Sequence, residues 1–186
     1  TPATGSVFAV MEAMLTRAGF TVTRTLDGEA PDGPVENLFA IRGNSQKSGA
    51  PHFAFAGHLD VVPPGEGWAS GPFAPEVRGD LLYGRGAVDM KGSIAAFVAA
   101  AEQIPADDGT ISLIITGDEE GPATHGTRAL MRHMEKAGVK PDLILVGEPT
   151  SVARLGDMIK IGRRGSVTMW VRVEGTQGHV AYPHLA

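Results

Sequence analysis

Apolar residues recur at Val7, Met11, Met14, Leu15 and Ala18, the spacing of one helix face, and Gly19 supplies a stop. Two short strand-like runs follow, Phe20 to Thr25 and Asn37 to Arg42, separated by Asp27-Gly28 and the Pro31 to Pro34 stretch. A polar loop over 43–51 leads into His52 to Val62, which reads as a buried strand stopped by Pro63-Pro64. Trp68 to Tyr83 is rich in Gly and Pro and predicts loop with short hairpin pieces. Gly92 to Ile104 is Ala-rich and helical, ending before Pro105. Thr110 to Thr116 is a β-branched run of the kind found in strands covered on both faces. A helix over Thr124 to Ala137 carries Leu130, Met134 and Ala137 on one face, and Leu143 to Val146 reads as another buried strand. From Gly165 the pattern changes: Val167, Met169, Val171 and Val173 alternate with polar or aromatic neighbours, as in a strand with two unlike faces. Strands alternating with helices predict an α/β fold, a mixed, mostly parallel sheet with helices on both faces. A domain boundary is expected near Arg164, giving a first domain over 1–164 and the beginning of another over 165–186.

Composition narrows the partners. With 186 residues, 42% hydrophobic and 20% charged, the chain can bury a core and is not an intrinsically disordered tail. Sixteen basic against 21 acidic residues, a net charge of −5, and no basic stripe argue against a nucleic-acid partner. No apolar run approaches the ~20 residues needed to cross a bilayer, so no membrane partner is expected. Thr1-Pro2-Ala3 lacks the basic start of a secretory signal. Cysteine is absent, which excludes thiol nucleophiles, Cys-ligated zinc and disulfides and is compatible with a cytoplasmic location. Any metal must be held by His, Asp and Glu.

Those residue types fall where a ligand crevice belongs. His58 and Asp60 stand two apart near a strand end, so both side chains leave one face. Asp89 precedes the Ala-rich helix, Glu119-Glu120 follow the Thr110 to Thr116 strand, and Glu148 follows the Leu143 to Val146 strand. In open α/β sheets ligands bind beyond the carboxyl ends of the strands. Singly, each has an ordinary reading: a hydrogen-bonded His, a solvated acidic loop, a turn cap, a helix N-terminal charge. Jointly they require repeated coincidence. Two carboxylates at ~4 Å repel by about 4 kcal/mol at an effective dielectric of 20, so either they are solvated separately or divalent cations neutralise them. Imidazole with carboxylates and no thiolate suits Zn, Co or Mn better than Ca. The phosphate loop, the His-Glu-x-x-His zinc helix and the Gly-x-Ser-x-Gly elbow are all missing, and Gly84-Arg85-Gly86 has Asp89 where a dinucleotide loop needs its third Gly.

Four ordered segments then carry a family resemblance: Gly57-His58-Leu59-Asp60-Val61-Val62-Pro63, Gly84 to Gly92, Gly117-Asp118-Glu119-Glu120-Gly121 and Gly147-Glu148-Pro149. Together they resemble the dinuclear-zinc amidohydrolases, a family that includes aminoacylases, glutamate carboxypeptidases and acetylornithine deacetylases. The resemblance implies a zinc-peptidase-like catalytic domain and, from about residue 165, the start of an α+β dimerisation or lid domain. It implies two zinc ions in the complete enzyme, with Co or Mn as possible substitutes. His58 and Glu148 would bind one zinc, Glu120 the other, and Asp89 both. Asp60 would orient His58, and Glu119 would be the general base toward water activated between the metals. His179 would stabilise the oxyanion from the partner in a homodimer, Arg163 would clamp a substrate carboxylate, and Tyr182 would assist binding. The segments Leu155 to Lys160, Arg163-Arg164-Gly165-Ser166 and Gln177 to His184 resemble the branch that hydrolyses N-succinyl-LL-2,6-diaminopimelate, a small N-acylated amino-acid substrate. An acetylornithine-type or other N-acylamino-acid deacylase is the alternative, and a non-catalytic metal-binding domain the reading from another class. The family's remaining His ligand comes from a segment beyond the inserted domain. This chain alone is therefore expected to bind one metal better than two and to be catalytically impaired.

Overall fold

The computed structural model describes residues 3–43, 49–105, 108–162, 165 and 167–185. Contacts gather into two units, Thr1–Pro149 and Thr150–Ala186, whereas the sequence pattern changes near Arg164.

The first unit is built on a five-stranded sheet. In chain order its strands are β1 (Thr21–Asp27), β2 (Val35–Gly43), β3 (His52–His58), β6 (Thr110–Thr116) and β7 (Leu143–Val146). Across the sheet the order is β1-β2-β6-β3-β7. β2 runs antiparallel to both of its neighbours, while β6, β3 and β7 are mutually parallel, so four of the five strands point one way. The remaining short strands, β4 (Glu76–Arg78) and β5 (Leu81–Tyr83), form the expected hairpin in the Gly- and Pro-rich stretch.

Three helices cover the sheet: α1 (Ser6–Arg17), α2 (Gly92–Ala101) and α3 (Thr127–Lys136). Phe8, Met11 and Leu15 of α1 and Ile94 and Val98 of α2 pack with Leu38, Phe55, Leu113 and Ile115 in one core. Leu130 and Met134 of α3 pack with Phe39, Ala54 and Ile114 in a second. Leu113 and Ile114 are successive residues of β6 facing opposite cores, which is why every residue of that strand is apolar or small and all seven are buried. Full burial of one such aliphatic side chain contributes about 1.5–3 kcal/mol. Among the described residues no helix is long and apolar enough to cross a membrane.

Two expectations are corrected. Leu143–Val146 does form a strand, but among the described residues it pairs with β3 alone and its residues are 46–61% exposed rather than buried. The all-apolar run specifies a strand that tolerates cover on both faces; it cannot say that β3 is its one neighbour. The alternating segment Val167 to Val173 is not a strand, and its four inward-patterned residues stay at least 80% exposed. A strand needs a neighbour for its backbone N–H and C=O groups, and none of the described residues pairs with it. In the second unit, local hydrogen bonds dominate: the Asp157 carboxylate accepts the N–H groups of Val152, Ala153 and Arg154.

At the end of β1, the Asp27 carboxylate is hydrogen-bonded to His125 Nδ1 at 2.9 Å and accepts Arg132 Nη2 at 2.9 Å. This fastens the segment between β6 and α3 to the sheet. The His125 bond, aided by Arg132 and opposed by burial, holds the Asp27 carboxyl below its usual range. A lowered folded value means stability that is present above the unfolded pKa of ~3.9 and lost as pH falls through the folded one. Asp27→Asn should therefore cost about 1 kcal/mol at neutral pH and nothing once wild-type Asp27 is protonated. Denaturant titrations at pH 7 and in strong acid check this; a difference that persists in acid would contradict it.

Candidate metal centre

His58 is the last residue of β3, and Asp60 follows two residues later. Both are almost wholly buried. His58 Nδ1 lies 3.0 Å from the Asp60 carbonyl oxygen and 3.3 Å from its carboxylate. The same carboxylate accepts the N–H of Glu119 at 3.0 and 3.1 Å and that of Glu120 at 2.9 Å. One buried acid thus fixes the imidazole of one strand end and the loop that leaves β6. Burial alone would raise the Asp60 carboxyl, but His58 and the two amides outweigh it and hold it low.

The free ring nitrogen, Nε2, faces Asp89 Oδ1 at 3.0 Å and Glu148 Oε1 at 3.4 Å. Asp89 sits in an irregular turn, Ala87–Lys91, with a non-helical backbone (φ −118°, ψ 99°) just before the start of α2. Glu148 follows β7. The parallel register aligns these ends, with His58 opposite Thr116 and Ala56 opposite Val146. Without a metal, burial would lower the His58 pKa; Asp60 above all, with Glu148 and Asp89, pushes it up to about 9. The Glu148 and Glu120 carboxyls are both raised, by burial first and then by the charge of Asp89. Raised carboxyls around one protonated imidazole mark a cluster short of positive charge.

Two ligand groups emerge: His58, Asp89 and Glu120, and His58, Glu119 and Glu148, each offering atoms within 4.8 Å of one another. An imidazole nitrogen with carboxylate oxygens fits a divalent ion such as zinc. Nδ1 is committed to Asp60, so only Nε2 can ligate and the two groups cannot both have it. An ion held by His58 would leave any second position, among the described residues, with carboxylates only.

Six sequence-predicted residues therefore come together: His58, Asp60, Asp89, Glu119, Glu120 and Glu148. His179 and Tyr182 lie in the second unit, both exposed, with ring centroids 5.8 Å apart and Ala181 donating to His179 Nδ1. Arg163 lies outside the described residues. Sequence reasoning gives no role to Asp118, which is 1% exposed and accepts the Ala123 N–H at 3.1 Å, closing the loop that carries both glutamates. It also passes over Lys91, whose ammonium burial makes less favourable and whose nearest charges are Asp60 and Asp89. A lysine two residues after Asp89 is the available signal for the latter; nothing in a run of three acids singles out the buried one.

A sheet with helices on both faces and an imidazole–carboxylate cluster at its strand ends places a candidate metal site where α/β folds bind their ligands. The chain belongs to peptidase family M20/M25/M40, whose profile matches residues 54–184. Over its whole length it is 73% identical to the succinyl-diaminopimelate desuccinylase of Sphingopyxis alaskensis, covering 48% of that protein. It is 70% identical to the succinyl-diaminopimelate desuccinylase of Novosphingobium aromaticivorans, covering 49%. The chain thus spans about half the length of the curated relatives it matches. Among solved structures, human carnosine dipeptidase 1 aligns with a TM-score of 0.64 at 28% identity, covering 78% of this chain and 33% of that one. The α/β expectation and the resemblance to metal-dependent amidohydrolases are both borne out, and membership of this family implies use of a divalent metal.

Proposed function

We propose that the protein, at its natural length, hydrolyses N-succinyl-LL-2,6-diaminopimelate to succinate and LL-2,6-diaminopimelate, a step toward lysine and peptidoglycan precursors. The observation that carries this reading is the whole-chain identity of 73% to a desuccinylase. The chemistry of the His58 cluster supports it. Two zinc ions are the metals of this reading, with cobalt or manganese as substitutes. His58 and Glu148 would hold one, Glu120 the other, and Asp89 would serve both. When bound, such ions polarise the scissile carbonyl and bring a water's pKa to ~7.

The chain's own residues do the rest. Asp60 keeps the His58 proton on Nδ1, so that Nε2 presents its lone pair. Glu119 takes a proton from the attacking water and passes it to the leaving amine. In this reading residues 165–186 begin a dimerisation domain. His179, from the partner of a cytoplasmic homodimer, donates to the oxyanion, Arg163 pairs with a substrate carboxylate in a bidentate fork, and Tyr182 assists binding.

The test is product release by the natural-length protein, before and after metal removal by a chelator. Succinate should appear from succinyl-diaminopimelate faster than acetate from acetylornithine, and chelation should stop both. Faster release of acetate would replace the substrate assignment with the acetylornithine-type alternative. Hydrolysis that survives complete metal removal would refute the mechanism.

A further inference from the structure

Ser93 lies in the first turn of α2. Its Oγ is 2.8 Å from the carbonyl oxygen of Met90 and 2.7 Å from that of Gly147. Met90 immediately follows Asp89, and Gly147 immediately precedes Glu148. One hydroxyl, its single proton shared between the two carbonyls, therefore spans the two backbone segments whose carboxylates flank His58 Nε2. The Met90 contact is an ordinary bond back to the preceding turn. The Gly147 contact is not, because it reaches across 54 residues to the end of another strand.

The surroundings leave few other links between those segments. Met90 is completely buried, and its methyl occupies the place a Cβ would need on Gly57 (2.6 Å) or on Gly147 (2.8 Å). A Cβ on Gly147 would also come within 2.1 Å of the Phe55 ring. The contact is thus apolar and close, but it carries no directional bond. Gly147 N–H donates to Ala56 at 3.0 Å, tying it to β3, while its carbonyl has Ser93. Among the described residues β7 pairs with β3 alone, and the Ser93 hydroxyl adds a link from its tip to the Asp89 turn.

We propose that Ser93 is a positioning residue for the metal centre: its hydroxyl latches the end of β7 to the Asp89 turn and so sets the spacing of Asp89 and Glu148 around a divalent cation. The inference rests on the metal-dependent reading above. Outer groups of this kind orient ligands without touching the ion, and losing one typically weakens metal binding about 10–100-fold.

Co(II) titration of the natural-length protein, read by calorimetry and by the visible ligand-field spectrum, tests it with wild type, Ser93→Ala and Ser93→Thr. Ser93→Ala should weaken the tighter Co(II) site about 10–100-fold and alter its spectrum. Ser93→Thr keeps the hydroxyl and should restore both. Unchanged affinity and spectrum in Ser93→Ala, or a threonine variant no better than the alanine one, would overturn the proposal while leaving the metal centre standing. A wild-type chain that takes up no Co(II) would overturn the metal centre itself.

Discussion

Glu119→Gln should slow amide hydrolysis by about 10²–10⁴-fold while the protein still takes up its metal. Glutamine matches glutamate in shape but cannot accept and return a proton at neutral pH. The backbone N–H of residue 119 still reaches Asp60, so the loop keeps its anchor. Geometry alone leaves Glu119 with two possible duties, because its carboxylate also groups with His58 and Glu148 as a potential ligand set. The two duties predict different outcomes. A proton carrier lost to Gln removes rate and spares metal affinity; a ligand lost to Gln weakens the metal as well. Metal stoichiometry and turnover measured on the same preparation separate them, and a variant that keeps its full rate would exclude the base role.

His58→Ala carries the second large effect, on metal affinity and on the fold together. The imidazole is the one nitrogen ligand in either group. Its loss should weaken the tighter metal by more than the ~100-fold seen for outer-shell partners. It also leaves the Asp60 carboxylate buried without its ring partner. Breaking a buried pair by removing one member costs about 3 kcal/mol or more. Asp60 still has two amide donors, which limits the damage. The double variant His58→Ala with Asp60→Ala should recover part of that stability and none of the metal binding. Chemical denaturation of the metal-free proteins and metal titration together check both halves. Equal metal affinity in wild type and His58→Ala would place the ion elsewhere.

Much of this was legible in the sequence because it depends on local pattern. Periodicity locates α1 and α3, Ala-rich composition α2, and buried or β-branched runs β3 and β6, and the position of an acid just past a strand end implies a shared crevice. That logic holds wherever parallel strands align their ends, as the pairings of His58 with Thr116 and Ala56 with Val146 do here. What was illegible is set by neighbours remote in sequence. The composition of Leu143–Val146 states that the strand is apolar, not that, among the described residues, it pairs with β3 alone. The alternation from Val167 to Val173 states which face each side chain would take, not whether another strand pairs with it. Ser93 reads as an ordinary residue opening a helix, and only the fold brings the Gly147 carbonyl to its hydroxyl. Asp118 looks like one more solvated acid in a charged loop, yet it is buried and closes that loop through Ala123.

His58, Asp89 and Glu148 converge on one divalent-ion position. Anomalous diffraction from crystals of the chain grown with zinc tests this most directly. The strongest peak should lie ~2.0–2.2 Å from His58 Nε2 and from a carboxylate oxygen of Asp89 or Glu148. Any weaker second peak should fall among carboxylates that include Glu120. Fully occupied zinc bound away from His58, with this cluster empty at saturating metal, would contradict the central claim.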